Sequence, residues 1–105
     1  MIKIAFDPVY ALPLPKNHRF PMLKYELIPA QLLYEGTCSE AQFFAPTMCS
    51  ESIITLTHDT DYFKKLTDQQ LSSFEQRVIG FPQSPALIQR ELTITQGTID
   101  AYQAI

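Results

Sequence analysis

Leu14-Pro15-Lys16-Asn17-His18-Arg19-Phe20-Pro21-Met22-Leu23-Lys24-Tyr25-Glu26-Leu27 is the stretch on which the reading of this chain turns. Pro13, Pro15 and Pro21 fix φ at three points and disfavour helix in the residue before each. The backbone should therefore run extended as far as Pro21, which itself suits the first turn of a helix, where a missing N–H costs little. A stiff loop thus delivers His18 and Arg19, side by side, to a helix start. Such loops often line a site. The plain alternative, Arg19 paired with a surface carboxylate, stays open from the loop alone.

On the N-terminal side, Ile2-Lys3-Ile4-Ala5-Phe6 reads as a short strand, buried on at least one face. Asp7-Pro8-Val9-Tyr10 follows as a turn, because Pro8 removes a ladder donor. Tyr10 by itself fits a half-buried aromatic whose hydroxyl reaches water. On the other side, a helix is predicted from about Pro21 to Glu35, with Leu23, Leu27 and Tyr34 near one face and Ile28 and Leu32 beside them. The Pro29 ring would meet the Tyr25 carbonyl, which predicts a kink or a break. Gly36 is a natural stop. Ala41–Pro46 is a second candidate strand, so strand, helix and strand form a right-handed βαβ unit with parallel neighbours.

Three caps then follow closely. Ser50 opens a short helix through Ile53, Ile54 and Leu56, and Asp59 opens one carrying Tyr62, Phe63 and Leu66. Thr67-Asp68-Gln69-Gln70 has the form of a capping box for a third, through Leu71, Phe74 and Val78. Gly80-Phe81-Pro82-Gln83-Ser84-Pro85 is a loop, and Ser84 with Pro85 opens the last helix. That helix shows one apolar set at Ile88, Leu92, Ile99 and Tyr102, and another at Ile94, Ala101 and Ile105. A helix apolar on two sides is normally covered by further protein. Gly97 costs about 1 kcal/mol relative to Ala inside a helix, which points to close approach of another backbone.

The 105 residues allow one domain at most; 46% are hydrophobic and 18% charged, a globular balance. The net charge of −3, with eight scattered Lys and Arg, argues against a dedicated nucleic-acid or anionic-membrane surface. No apolar run reaches membrane-span length, and the first residues lack a signal peptide's apolar region. Cys38 and Cys49 could form a disulfide, but nothing in the sequence indicates an oxidising compartment, and they read sooner as free buried thiols of a cytoplasmic protein. Their spacing fails as a zinc finger or ribbon. His58 reads as a helix-end imidazole bonded to a local carbonyl sooner than as a metal ligand. Gly36, Gly80 and Gly97 form no phosphate loop. The final helix runs to Ile105 without a closing Gly, Asn or Pro, so we expect a chain cut inside a larger protein.

The His18-Arg19-Phe20-Pro21-Met22 block followed by Lys24-Tyr25 resembles the first block of the histone deacetylase-like family, in its bacterial branch close to class IV enzymes. Those proteins share an opening strand, a Pro-rich loop and an H-R-F-P-M-x-K-Y helix start. The likeness continues through His58-Asp59-Thr60-Asp61-Tyr62, similar to the family's V-H-D-x-x-Y block, and through Gly80–Pro85. It ends at Arg90 and Gln96-Gly97-Thr98-Ile99. The chain departs from the family at Gln83, where an aromatic is common, and at Gln96, where a glycine is usual.

The resemblance implies an α/β chain, residues 1–105 being a single truncated N-terminal portion of a three-layer α/β/α deacetylase fold. About two parallel strands and several short helices belong to this portion, which should be mostly helical. The intact family enzyme is a zinc-dependent hydrolase that removes an acyl group from an amine such as acetyl-lysine. Its Gly-Gly-x-His-His block, D-x-H motif and later Asp are missing from this sequence. The chain should therefore hold no catalytic or metal-ligating residue, bind no zinc and be inert alone. Carried over by position, Arg19 and Tyr10 would line the internal channel beneath the zinc site, and Gly80, Phe81 and Pro82 the substrate rim. The implied partner is the remainder of the deacetylase domain. For the isolated chain we expect a homodimer in which the final helices cover each other or swap. The rival classes are a small self-associating binding module and an α/β domain without assignable activity.

Overall fold

The computed structural model describes residues 2–105. Two short strands, β1 (Ile4–Ala5) and β2 (Phe43–Phe44), pair in parallel, Ile4 against Phe43 and Ala5 against Phe44. The Phe6 N–H extends the ladder to the Phe44 carbonyl at 2.9 Å. Between the strands runs α1 (Lys24–Tyr34); after β2 come α2 (Glu51–Ile54), α3 (Thr60–Thr67), α4 (Ser73–Ile79) and α5 (Pro85–Gln103). The chain is a mixed α/β protein in which helix outweighs strand, with the expected strand, helix and strand order at its start. The strands are shorter than the sequence suggests. Asp7 ends the first by capping a 3₁₀ turn at Pro8–Tyr10, its carboxylate accepting the Val9 N–H at 2.8 Å.

α1 begins at Lys24 instead of Pro21, because the chain closes tight turns first, with the Lys24 N–H on the Pro21 carbonyl at 3.2 Å. Pro29 does not break it. The lost bond is confined to the Tyr25 carbonyl, while the Leu27 N–H to Leu23 bond (3.0 Å) and the Glu35 N–H to Gln31 bond (2.9 Å) close the turns on either side. Thr37 and Gly36 then donate to Leu32 and Leu33 at 3.1 and 3.2 Å, a Schellman stop at the expected glycine.

Asp59 caps α3, accepting from Asp61 at 2.7 Å, and Ser84 caps α5 ahead of Pro85, its hydroxyl accepting from Leu87 at 3.0 Å. The Ser50 residue precedes α2 as expected, although its hydroxyl meets Ser52 at 2.9 Å and not the backbone. The Thr67 box is wrong. Thr67 ends α3, and Gln69 turns the chain with φ +62°. α4 is opened by Ser72, whose hydroxyl accepts the Glu75 N–H at 3.1 Å while the Glu75 carboxylate accepts the Ser72 N–H at 3.0 Å. An acidic residue completes this box better than a glutamine, because it also meets the positive end of the helix.

The core forms around Leu12, Met22 and Leu87, with Leu14, Phe20, Tyr25, Phe81 and Ala86 packed against it. It lies between the Pro-rich loop and the first half of α5. α5 also packs on the Pro8–Tyr10 turn, β1 and α3. Its buried positions are Leu87, Arg90, Thr93 and Gly97, so the two apolar faces read from the sequence are not its packing stripe. Tyr102 and Ile105 are exposed, and the other members are half-buried. Gly97 does sit at a close approach, but to the Tyr10 side chain of this same chain and not to another backbone. The whole is flat, 45 × 35 × 17 Å, with a radius of gyration of 15.4 Å. A compact domain of this size has about 13 Å.

Candidate functional site

Where the Pro-rich loop meets the Gly80–Pro85 loop, aromatic rings and cations collect. Gly80 ends α4 in the left-handed region, φ +88°, which a side chain would strain. Its carbonyl meets the Nε2 atom of His18 at 2.7 Å. The other ring nitrogen, Nδ1, accepts the Phe20 N–H at 3.1 Å, so the proton is on Nε2 and His18 donates to Gly80. The imidazole stacks on Phe81 (5.5 Å between centroids, 18°), and Phe20 meets the same ring edge-on at 5.2 Å. Lys24 Nζ lies 5.0 Å from the Phe20 centroid and 5.4 Å from that of Tyr25.

Beneath this patch is Arg90, 4% exposed. Its Nε donates to the Tyr10 carbonyl at 2.6 Å and its Nη1 to the Glu91 carboxylate at 2.7 Å. Its guanidinium lies 5.0 Å from the Tyr25 ring centroid and 5.9 Å from that of Phe81. A planar guanidinium can make such contacts with rings and oxygens at once, which an ammonium cannot. Arg90 therefore joins the turn that carries Tyr10 to the loop that carries Phe81. Sequence reading missed this role, since it named Arg90 only as the place where the family likeness ends.

The residues expected to line a site are divided. Gly80 and Phe81 contact His18, and Pro82 is exposed. Tyr10 is buried, and burial, then the charges of Asp7 and Asp100, push its phenol above the ordinary value. Arg19 is exposed, with no ion pair or side-chain hydrogen bond among the described residues. The arginine bonded to Tyr10 is Arg90. Gln83 ties the Gly80–Pro85 loop to Leu71. Its carboxamide accepts the Leu71 N–H at 2.8 Å and donates to the Leu71 carbonyl at 3.3 Å.

A second concavity of about 240 Å³ opens between α2, α3 and α5, lined by Ile54, Tyr62, Phe63, Leu66, Leu87 and Leu92, with His58 at its edge. His58 is exposed, and its ring lies 5.8 Å from that of Tyr62. The side chains present do not make up a zinc site. Both nitrogens of His18 are engaged, and no group of three His, Cys, Asp or Glu side chains converges among the described residues. Cys38 and Cys49 are buried free thiols. Burial pushes the Cys49 thiol up, the reverse of what a nucleophile or metal thiolate requires. No helix of the described residues is long and apolar enough to cross a membrane.

No protein-family profile matches the chain. It is 35% identical over 96 residues to an uncharacterized protein of Picosynechococcus sp. (strain ATCC 27264 / PCC 7002 / PR-6). The match takes in 91% of this chain and 32% of that protein, so the chain spans about a third of the length of this relative.

Proposed function

We propose that this chain is the front segment of a histone deacetylase-like amidohydrolase that acts in the cytoplasm on acylated amines such as acetyl-lysine. The observation that carries the reading is the junction of His18 with Gly80 and Phe81, 62 positions apart. It brings together two of the blocks of sequence on which the resemblance rests, the Pro-rich loop and the Gly80–Pro85 loop. The parallel strands joined through α1 and the flat outline also fit a layer of a larger α/β/α body. Zinc in such an enzyme polarises the acyl carbonyl and activates water; its ligands would lie outside these residues. This chain would supply walls. Phe81 and Pro82 would give the rim an apolar surface, Tyr10 would wall the channel, and Arg19 would attract a carboxylate product.

The test is an exchange. This chain replaces the matched region of the Picosynechococcus protein, and zinc content and acetate release from an acetyl-lysine peptide are measured for the chimera, the unaltered relative and the 105-residue chain. We expect about one equivalent of zinc and acetate release from the first two, and neither from the chain alone. Arg19→Ala in the chimera should lower turnover with zinc content unchanged. A relative that holds no zinc and releases no acyl group ends the reading.

A further inference from the structure

His18 is held at both ring nitrogens and on one face. Nδ1 accepts the Phe20 N–H at 3.1 Å, Nε2 donates to the Gly80 carbonyl at 2.7 Å, and the plane stacks on Phe81. Only the neutral imidazole offers one acceptor and one donor; the protonated ring has two donors. Protonation would set a new Nδ1 hydrogen against the Phe20 N–H and leave that half-buried donor without its acceptor. The Gly80 bond and the stacked face would gain from the charge, but the ring cannot stay where it makes them. Neither backbone can step aside. The His18 N–H is fixed to the Pro15 carbonyl at 2.9 Å, and Phe20 is followed by Pro21, with its carbonyl bonded by the Met22 N–H at 2.8 Å and its ring packed on Phe81. So the imidazole must turn. One rigid plane carries all three contacts, and a turn that frees Nδ1 also takes Nε2 from Gly80 and the face from Phe81.

We propose that His18 is an acid-released latch between the Pro-rich loop and the Gly80–Pro85 loop, closed while its imidazole is neutral and opened by protonation. Imidazole is the side chain whose charge changes at mild acidity. The surroundings add positive charge and no compensating anion. Lys16 and Arg19 stand on the same loop, Lys24 and Glu26 in the first turn of α1, Glu75 and Arg77 on α4, and Arg90 and Glu91 on α5, with Tyr25 the titratable ring of the cluster. Lys24 and Arg90 already lie against the rings that His18 packs among. Glu75 is taken up by Ser72 and Lys65, and Glu91 by Arg90; no carboxylate pairs with His18 among the described residues. When the latch opens, the Gly80–Pro85 loop keeps its tie to Leu71 through Gln83. Acid therefore parts the two loops without dissolving either. The latch does not depend on the deacetylase reading.

Nitrogen-15 NMR on the full chain, titrated from about pH 8 to about pH 5, tests it. We expect the Nε2–H tautomer in the neutral ring. As His18 takes up its proton, the Phe20 amide should lose about tenfold or more of its exchange protection, corrected for the intrinsic rate, while amides in the middle of α5 keep theirs. The Gly80 and Phe81 signals should shift with the same midpoint. His58, exposed and outside the junction, is the reference, and its own titration should leave those signals unaltered. His18→Asn keeps an acceptor for the N–H two residues on, as in an Asx turn, and has nothing to titrate. Its Phe20 amide should stay protected throughout. The proposal is overturned by an Nδ1–H tautomer, by a ring that takes up no proton in this range, or by a Phe20 amide that keeps its protection while His18 charges. A loss shared by the whole of α5 overturns it too, as does a His18→Asn chain whose Phe20 protection falls at the same midpoint. Should that variant not fold, the titration of the native sequence decides by itself.

Discussion

The phenol oxygen of Tyr10 occupies the space in which a side chain at Gly97 would begin. A Cβ built on Gly97 would lie 2.5 Å from that oxygen, 3.2 Å from the Ala5 Cβ and 3.3 Å from the Pro46 Cγ. Arg90, seven residues earlier on α5, holds the backbone of the same tyrosine through its carbonyl. One helix therefore grips Tyr10 at both ends, by a cation at the main chain and by an absent side chain at the ring's tip. This explains a glycine in the middle of the longest helix, where it costs about 1 kcal/mol relative to Ala.

Gly97→Ala should accordingly destabilise the chain by about 1–3 kcal/mol, as overpacking does, despite the better helix propensity of alanine. The ring cannot yield easily because Phe6 packs edge-on against it at 6.2 Å. Tyr10→Phe removes the oxygen. In that background the same Gly97→Ala change should cost clearly less, a non-additivity that urea denaturation of the four variants measures. Equal costs in both backgrounds would show that Ala5 and Pro46, and not the phenol, set the limit.

Alkaline pH acts on the same contact. The Tyr10 phenol is held above its ordinary value of 10.0 by burial, with Asp7 and Asp100 adding to the effect. The folded state thus keeps its proton where the unfolded state loses it. The resulting stabilisation is full below the ordinary phenol value and is lost as pH rises through the raised, folded one. In a spectrophotometric phenolate titration, Tyr10→Phe should remove a component that titrates above the ordinary phenol value. Its stability should also fall less than that of the native sequence as pH is taken above 10.

Arg90→Lys should not be conservative. An ammonium keeps the charge but cannot bond the Tyr10 carbonyl and the Glu91 carboxylate while also lying against the rings of Tyr25 and Phe81. Loss of a buried, charge-assisted bond costs about 1.5–3 kcal/mol. Thermal unfolding should show a loss of that size. Near-native stability would mean that the aromatic packing carries the junction without the fork of hydrogen bonds.

Much of this architecture is legible in the chain because its punctuation is local. Asp59, Ser84-Pro85 and Gly36 act on neighbours two to four residues away, and they end or open helices where their chemistry says they should. What sequence reading misplaced depends on distant partners. The α5 stripe contains Arg90, Thr93 and Gly97, none of them apolar. Arg90 is buried because Tyr10, Tyr25 and Phe81 come to it, and the buried Thr93 hydroxyl is satisfied within its own helix by the Gln89 carbonyl at 2.7 Å. At α4 the reading took the T-x-x-Q box at Thr67, whereas the box that forms is that of Ser72 and Glu75, five residues on. The sequence reading put Arg19 in the site and gave His18 no role there, but among the described residues it is His18 whose side chain has a distant partner, the Gly80 carbonyl.

Gln83 offers a way to read the Gly80–Pro85 loop by pH. Its carboxamide both accepts from and donates to the backbone of Leu71, and its own N–H donates to the Gln76 side chain at 3.0 Å. Leu71 is buried, so its peptide groups have little water to turn to. Gln83→Ala should therefore cost about 1–3 kcal/mol, the penalty for stranding buried polar groups. Gln83→Glu is more telling. At pH 7 the new carboxylate still accepts the Leu71 N–H, but it has no proton for the Leu71 carbonyl and sets one oxygen against another. Protonated, it regains both a donor and an acceptor, as the amide has. Relative to the native sequence, the deficit in urea midpoint should be large at pH 7 and shrink as pH falls through the ordinary glutamate range, near 4.3. The sign follows from linkage: the folded state favours the protonated carboxyl, so its contribution is present at low pH and lost as pH rises. A deficit that stays constant across that range would mean the carboxamide only fills space, and that the loop is held by the His18 junction alone.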